Sequence, residues 1–343
     1  MAVEIDVHAN DTNERLCGYD DLLIGIHHHF IYIMGPIIVL GLILNVLNIV
    51  VLRRAKSPSN AFFMLQFLAV SDMMYLIICL LYFPIRHLVI DFIKPDYIGK
   101  RFDPYLLPEL LLVIDPMYYM TILARNWMVV VITIERLLNI VAPLWARTTI
   151  TKFRLKIVVA VVYLVSVLIR VDNYVNNRIQ SFMNECGQPT HVVSYTSVLQ
   201  QQLFHSIFVV GTVLVPQCLI YLANVLLLIG LRKSELERLK MATCEQGDSK
   251  HRRQATTIVL AMSVVFSVCE TPSCIDRLMY VAGFTSWTQS RRLTRVVSLV
   301  LNVVDSSINF FAYCASNRLF RRNFTQLFQK NIIRNIRHST VRE

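Results

Sequence analysis

PELLLVIDPMYYMTILARNWMVVVITIERLLNIV, residues Pro108–Val141, decides how this chain folds. An α-helix rises ~1.5 Å per residue, and about 20 predominantly apolar residues cross the hydrocarbon core of a bilayer. The stretch is long enough to cross lipid and to project past it. Its charges are few: Glu109 and Asp115 near the start, Arg125 in the middle, and Glu135-Arg136 near the end. A charged pair therefore closes a helix that is otherwise built to span a membrane.

Six more apolar stretches flank it: Phe30–Leu52, Asn60–Phe83, Ile157–Ile169, Val198–Leu231, Ala255–Ala282 and Val296–Ala315. The fourth, Ile157–Ile169, is shorter than a span requires, and it crosses only if Lys156 and Arg170 snorkel to the two interfaces. Composition agrees, with 55% hydrophobic residues, 17% charged and a mean hydropathy of +0.50. One water-soluble core could not hide that much apolar surface. The expected fold is an all-α membrane protein, a seven-transmembrane helix bundle. Residues 1–29 precede it, residues 30–315 form it, and residues 316–343 make a tail. In that tail Leu319, Phe320, Phe324 and Phe328 fall on a helical spacing among basic residues, which reads as a short amphipathic helix at the membrane surface.

The net charge of +11 does not point to nucleic acid, because the basic residues are sorted by loop. One set of connections and the tail holds 22 Lys and Arg and the other holds 11, with Arg125 inside the third span. The positive-inside rule puts the amino terminus outside and the carboxyl tail in the cytoplasm. The first 29 residues carry Glu4, Asp6, Asp11, Glu14, Asp20 and Asp21 and no apolar h-region, so the first span is expected to serve as the signal. Asn10-Asp11-Thr12 is a glycosylation sequon on the outer side, whereas Asn323-Phe324-Thr325 lies inside. Of eight cysteines, Cys17 and Cys186 are the pair expected to meet oxidising solvent.

Lipid penalises ionisable side chains by at least ~2.5 kcal/mol, so those in spans are expected to face the bundle interior. Asp72, Arg125, Glu270 and Asp305 are such residues, and with the polar Asn45 they form an internal polar cluster. Pro216 and Pro272 interrupt the fifth and sixth spans, each removing a backbone donor and permitting a kink. No metal-spaced His/Cys set and no nucleophile motif occurs, so neither an enzyme nor a cofactor is expected. His27-His28-His29 cannot share one helical face and reads as a solvated interfacial cluster.

Asn45, Asp72, Glu135-Arg136, Pro216, Phe266, Pro272 and Asn309-x-x-x-Tyr313, each in its helix, resemble the rhodopsin-like G-protein-coupled receptors from about Ile37 to Phe328. Within them the chain is most similar to invertebrate FMRFamide-type neuropeptide receptors. That likeness rests on Asp103-Pro104-Tyr105-Leu106-Leu107-Pro108, Leu214-Val215-Pro216, Leu222-Ala223-Asn224, Cys269-x-Thr271-Pro272, Asn309-Phe310-x-x-Tyr313-Cys314 and Arg318-Leu319-Phe320-Arg321-Arg322. The resemblance implies a receptor with no chemistry of its own. A peptide binds outside and a heterotrimeric G protein engages inside, with Glu135, Arg136, Phe266, Pro272, Asn309 and Tyr313 as switch residues. For a peptide ending in Arg-Phe-amide, the outer halves of the helices offer Asp115, Tyr118, Tyr119, Asp276 and Tyr280. Tyr118 stands where amine receptors place an Asp, which argues against a monoamine.

The departures matter as much. Phe310 replaces the seventh helix's Pro, Glu270 replaces an aromatic residue or Gln, and the fourth helix has no Trp. A divergent chemosensory receptor is the alternative these differences leave open. A small transporter or proton-conducting protein using Asp72, Arg125, Glu270 and Asp305 is another. No Lys lies between Val296 and Tyr313 to form a Schiff base. The third helix lacks its usual outer Cys, which leaves Cys186 either bonded to Cys17 or free. Arg125 stands where the family usually has a small polar residue that helps Asp72 hold sodium. An ion-pair cluster is expected in place of that site.

Overall fold

In a computed structural model of the protein, residues 21–54, 60–92, 106–183, 189–195, 207, 209–240, 247–281, 289–316 and 320–327 are described. The spans are Asp21–Arg53, Asn60–Phe92, Leu106–Val141, Lys152–Asn176, a π-helical turn Val210–Leu214 running into Val215–Lys240, then Gly247–Val281 and Gln289–Ser316. Six of them contain stretches long and apolar enough to cross a membrane: Tyr32–Arg53, Phe62–Ile85, Glu109–Val141, Val210–Lys233, Val259–Met279 and Leu293–Ala315. The helices run past the apolar stretches. The first begins at Asp21 rather than at residue 30, and the sixth begins at Gly247.

Lys152–Asn176 is the fourth member of the bundle, and its faces show why. Ile157, Val161, Leu164, Val165 and Leu168 are exposed along one stripe, while Leu155, Val159, Ser166 and Arg170 are buried on the other. Such a stripe is stable against lipid and unstable against water. Lys156 is exposed, but Arg170 corrects the snorkelling expectation. Its guanidinium turns into the bundle and lies 4.5 Å over the Tyr119 ring. A flat, weakly hydrated cation on an aromatic face is the arrangement that makes an inward Arg tolerable.

The helices close a ring. The first packs on the second and seventh, the third on the second, fourth, fifth and sixth, and the sixth on the fifth and seventh. The third is the most enclosed, which makes it the axle of the bundle. Close approach of the first and seventh helices depends on Gly41. A Cβ there would fall 2.2 Å from Ser307 Oγ and 2.9 Å from Leu76 Cδ1. Asn45, one turn on, donates to the carbonyls of Gly41 at 2.9 Å and Ser306 at 2.7 Å. Interhelical donors of this kind tie helices together where lipid supplies no hydrophobic drive.

Among the described residues, a hairpin and two short helices lie outside the spans. An antiparallel hairpin, β1 (Asn177–Met183) and β2 (Pro189–Tyr195), pairs Ile179 with Val193 and packs against the third helix. It sits where only a connection was expected. At the opposite end, Pro143–Thr149 makes a short helix, and Asn60 Nδ2 donates to the Ile150 carbonyl at 2.8 Å to pin it. Residues 320–327 are helical, with Phe320 and Leu327 buried and Arg321 and Arg322 exposed. That amphipathic helix docks through Phe310, whose ring lies 5.6 Å from Phe320 and 5.3 Å from Phe324.

Gly41→Val overpacks the first–seventh contact, a defect of about 1–3 kcal/mol. We expect a clearly lower Tm for the detergent-solubilised protein. Gly35→Ala, with no atom within 4 Å of its new Cβ, should leave Tm unchanged. Equal Tm values for Gly41→Val and the wild type would show that this contact is looser than drawn.

Candidate functional site

The candidate site is a column of polar side chains along the third helix, in three layers. At one end Arg136 donates through Nε and Nη2 to both carboxylate oxygens of Glu135. Asn139 Nδ2 donates to Glu135 Oε1 at 2.8 Å and to its carbonyl at 2.7 Å. Both members of the pair are buried. A two-pronged guanidinium–carboxylate contact is strong and directional, so Arg136 is held against its neighbour rather than projected outward.

The middle layer is built around Arg125, which is 1% exposed. Its Nη1 donates to Ser306 Oγ at 2.6 Å and to the Asn302 carbonyl at 3.0 Å, and lies 4.0 Å from Asp305 Oδ2. Its Nη2 donates to Glu270 Oε2 at 3.3 Å and to Asn302 Oδ1 at 3.4 Å. Tyr75 and Phe266 face the guanidinium at 4.8 and 5.5 Å. A buried cation is costly unless carboxylates and further acceptors surround it, and here the sixth and seventh helices supply both. Asp72 is held by Asn309 Nδ2 at 2.7 Å. A cavity of about 20 Å³, the size of one water, opens among Asp72, Arg125, Thr133, Phe266, Asp305 and Asn309.

The residues after Arg125 answer a different need. Pro216 has no N–H to give to the preceding turn of the fifth helix. The backbone there widens, with Val215 N–H reaching Val210 O. Asn126 Nδ2 donates to Thr212 O at 2.9 Å, and Trp127 Nε1 donates to Gly211 O at 3.0 Å. Asn126 also reaches Glu270 Oε1 at 3.4 Å. Arg125-Asn126-Trp127 thus binds the third helix to the fifth, sixth and seventh at one level. Asn302 Nδ2 continues this layer to Ser273 Oγ at 2.9 Å.

In the third layer Asp115 Oδ1 accepts from Tyr82 Oη at 3.1 Å. Tyr82 is stacked on Tyr118 at 4.5 Å and 4°, and Tyr118 lies 5.9 Å from Tyr75 and 5.3 Å from Tyr119. Tyr119 carries Arg170 on one side and has Arg277 at 5.7 Å. Asp276 pairs with Arg295 at 3.8 Å. Asp115, Tyr118 and Tyr119 therefore lie together, and Asp276 already has a cation from the seventh helix. Tyr280 lies in the sixth helix with its side chain outside the described residues, where Asn10, Cys17 and Cys186 also fall. Tyr313 is buried at 5.5 Å from Phe320.

Tyr75, Tyr82, Asn126, Trp127, Arg170, Asn302 and Ser306 were not among the sequence candidates. Asn126 and Trp127 had a signal in the sequence, because the carbonyls orphaned by Pro216 require donors. Tyr75 and Tyr82 had none, since aromatic residues in spans are ordinarily packing.

Residues 43–313 match the family described as 7 transmembrane receptor (rhodopsin family). Neuromedin-U receptor 1 of Rattus norvegicus is 25% identical over 316 residues, covering 84% of this chain and 71% of its own. Neuromedin-U receptor 2 of the same species is 27% identical over 335 residues, covering 92% and 80%. The FMRFamide receptor of Drosophila melanogaster is 21% identical over 301 residues, covering 85% and 52%.

Asn126→Ala withdraws the donor from the Thr212 carbonyl, and Trp127→Phe keeps the ring's bulk while removing the N–H. A buried acceptor that loses its donor costs about 1–3 kcal/mol. Both variants should lower Tm in detergent. Unchanged Tm in both would mean that the fifth helix does not depend on them.

Proposed function

Because the chain belongs to the rhodopsin family of seven-transmembrane receptors, we propose that it converts binding of an extracellular peptide at its Asp115–Tyr119 end into activation of a heterotrimeric G protein at its Arg136 end. The loop charges support this orientation, with the 22 basic residues gathered on the Arg136 side, in the cytoplasm of a multi-pass plasma-membrane protein. The observation that carries the reading is the closed Glu135–Arg136 fork. A guanidinium parked on its own helix can be released when the neighbouring helices move, and a partner's carbonyls and carboxylates can then receive it. A ligand drives that change by binding the open form better than the closed one.

A short amidated peptide is the ligand class we infer, since relatives are named for neuromedin U and FMRFamide. A peptide arginine would be met by Asp115, beside the tyrosine stack, and by Asp276 in exchange for Arg295. Tyr118 and Tyr119 would provide aromatic walls. The conduction reading draws less support. Glu270 and Asp305 are gathered on the Arg125 guanidinium, and Asp72 is bound to Asn309, so these charges do not form a string of separate stations.

Arg136→Ala should abolish G-protein activation at equal surface expression while leaving peptide binding intact. A variant that signals normally would remove Arg136 from this role. Asp115→Asn and Asp276→Asn should each lower the potency of an arginine-containing amidated peptide about tenfold, corresponding to ~1.4 kcal/mol. If both keep wild-type potency, the pocket lies elsewhere. A library of amidated peptides screened with calcium and cyclic-nucleotide readouts would supply the agonist for both tests.

A further inference from the structure

Glu270 lies two residues before Pro272 in the sixth helix, and its carboxylate is held from both sides by the third, through Arg125 on Oε2 and Asn126 on Oε1. Pro272 cannot donate to the turn before it, so the helix is mechanically weakest beside this contact. With a rise of ~1.5 Å per residue, Glu270 sits about 3 Å along the axis from that break, and Thr256 about 24 Å. A hinge at Pro272 therefore magnifies a displacement of 1 Å at Glu270 roughly eightfold near the Arg136 end.

We propose that the Arg125–Glu270 ion pair is the latch that holds the sixth helix closed. The proposal rests on the receptor reading for its biological meaning but not for its geometry. Arg125 is anchored on the seventh helix by Ser306 and the Asn302 carbonyl, so it holds still when the sixth helix moves. Fifth–sixth contacts, such as Gln217 Nε2 on the Ser267 carbonyl at 3.0 Å, join helices that can move together, whereas the Arg125–Glu270 pair joins the sixth helix to the third. The latch is also wired to the outer layer. The guanidinium lies on Tyr75, Tyr75 meets Tyr118, Tyr118 stacks on Tyr82, and Tyr82 donates to Asp115. A ligand group that takes Asp115 from Tyr82 re-seats this stack and loosens Arg125 from Glu270.

Glu270→Gln removes the charge and leaves Arg125 its contact with Asp305, so no cation is stranded. Two readouts separate the latch from the receptor reading: amide hydrogen exchange of residues 259–270 in the purified, ligand-free protein, and agonist-free nucleotide exchange on a G protein. Glu270→Gln should speed amide exchange in this segment at least threefold, with residues 155–166 unchanged, and should raise basal nucleotide exchange at least threefold. Glu270→Asp, which keeps the charge on a shorter arm, should fall between the variant and the wild type. Arg125→Lys preserves the buried cation but cannot reach Glu270 and the seventh helix at once. It should loosen the same segment, and it decides the matter if Glu270→Gln does not fold. Amide exchange that is unchanged or slower in the folded variant, or equal in Glu270→Asp and Glu270→Gln, overturns the latch. Faster amide exchange with no nucleotide exchange in any form upholds the latch and counts against the G-protein reading.

Discussion

Placing a guanidinium in the interior of a membrane bundle obliges the surrounding helices to supply its counter-charges, because neither water nor lipid can. Arg125 imposes that demand on this chain. Glu270 comes from the sixth helix, and Asp305, Ser306 and the Asn302 carbonyl come from the seventh. The second contributes the Tyr75 face. The arrangement fixes the rotation of each helix about its own axis, since a turn of 100° would carry its partner off the cation. Asn45, bridging Gly41 and Ser306, extends the same logic to the first helix.

A second demand comes from proline. Gly211 and Thr212 accept side-chain donors from the third helix because Pro216 provides none. The fifth helix is thereby tied to the third at its weakest point. The polar residues of the third helix are consecutive for this reason. Three consecutive residues of a helix fan out over about 200°, so Arg125, Asn126 and Trp127 face different neighbours and serve them at one level.

The spans and their number were legible because hydrocarbon thickness sets a length that apolar runs must meet, and the penalty on polar groups sets which faces turn inward. Much of the middle layer follows from that penalty, including which residue types must meet. The fourth helix was harder to read. Its uncharged run is short, and sequence does not say whether Arg170 reaches for the interface or for a ring; Tyr119, distant in the chain, decides it. The hairpin was missed because its pairing, such as Ile179 with Val193, joins two short runs in which Ser181 and His191 interrupt the apolar alternation. In the outer layer, Tyr82 and Tyr118 became a stack only through the packing of the second helix on the third.

Phe310 shows how a departure from a family pattern redistributes motion. A proline in the seventh helix would remove a backbone bond and provide a hinge; Phe310 leaves Gln289–Ser316 unbroken and adds a ring that grips Phe320 and Phe324 of the terminal amphipathic helix. Rigid and tied at both Arg125 and residues 320–327, the seventh helix serves as a fixed wall. Prolines also lie inside the first three helices, at Pro36, Pro84 and Pro116, but Pro216 and Pro272 are the ones in the two helices that flank Arg136. The third-helix residues Arg125, Asn126 and Trp127 contact the fifth and sixth helices at the levels of these two prolines, so each of the two breaks nearest the Arg136 end is held by side chains of the third helix.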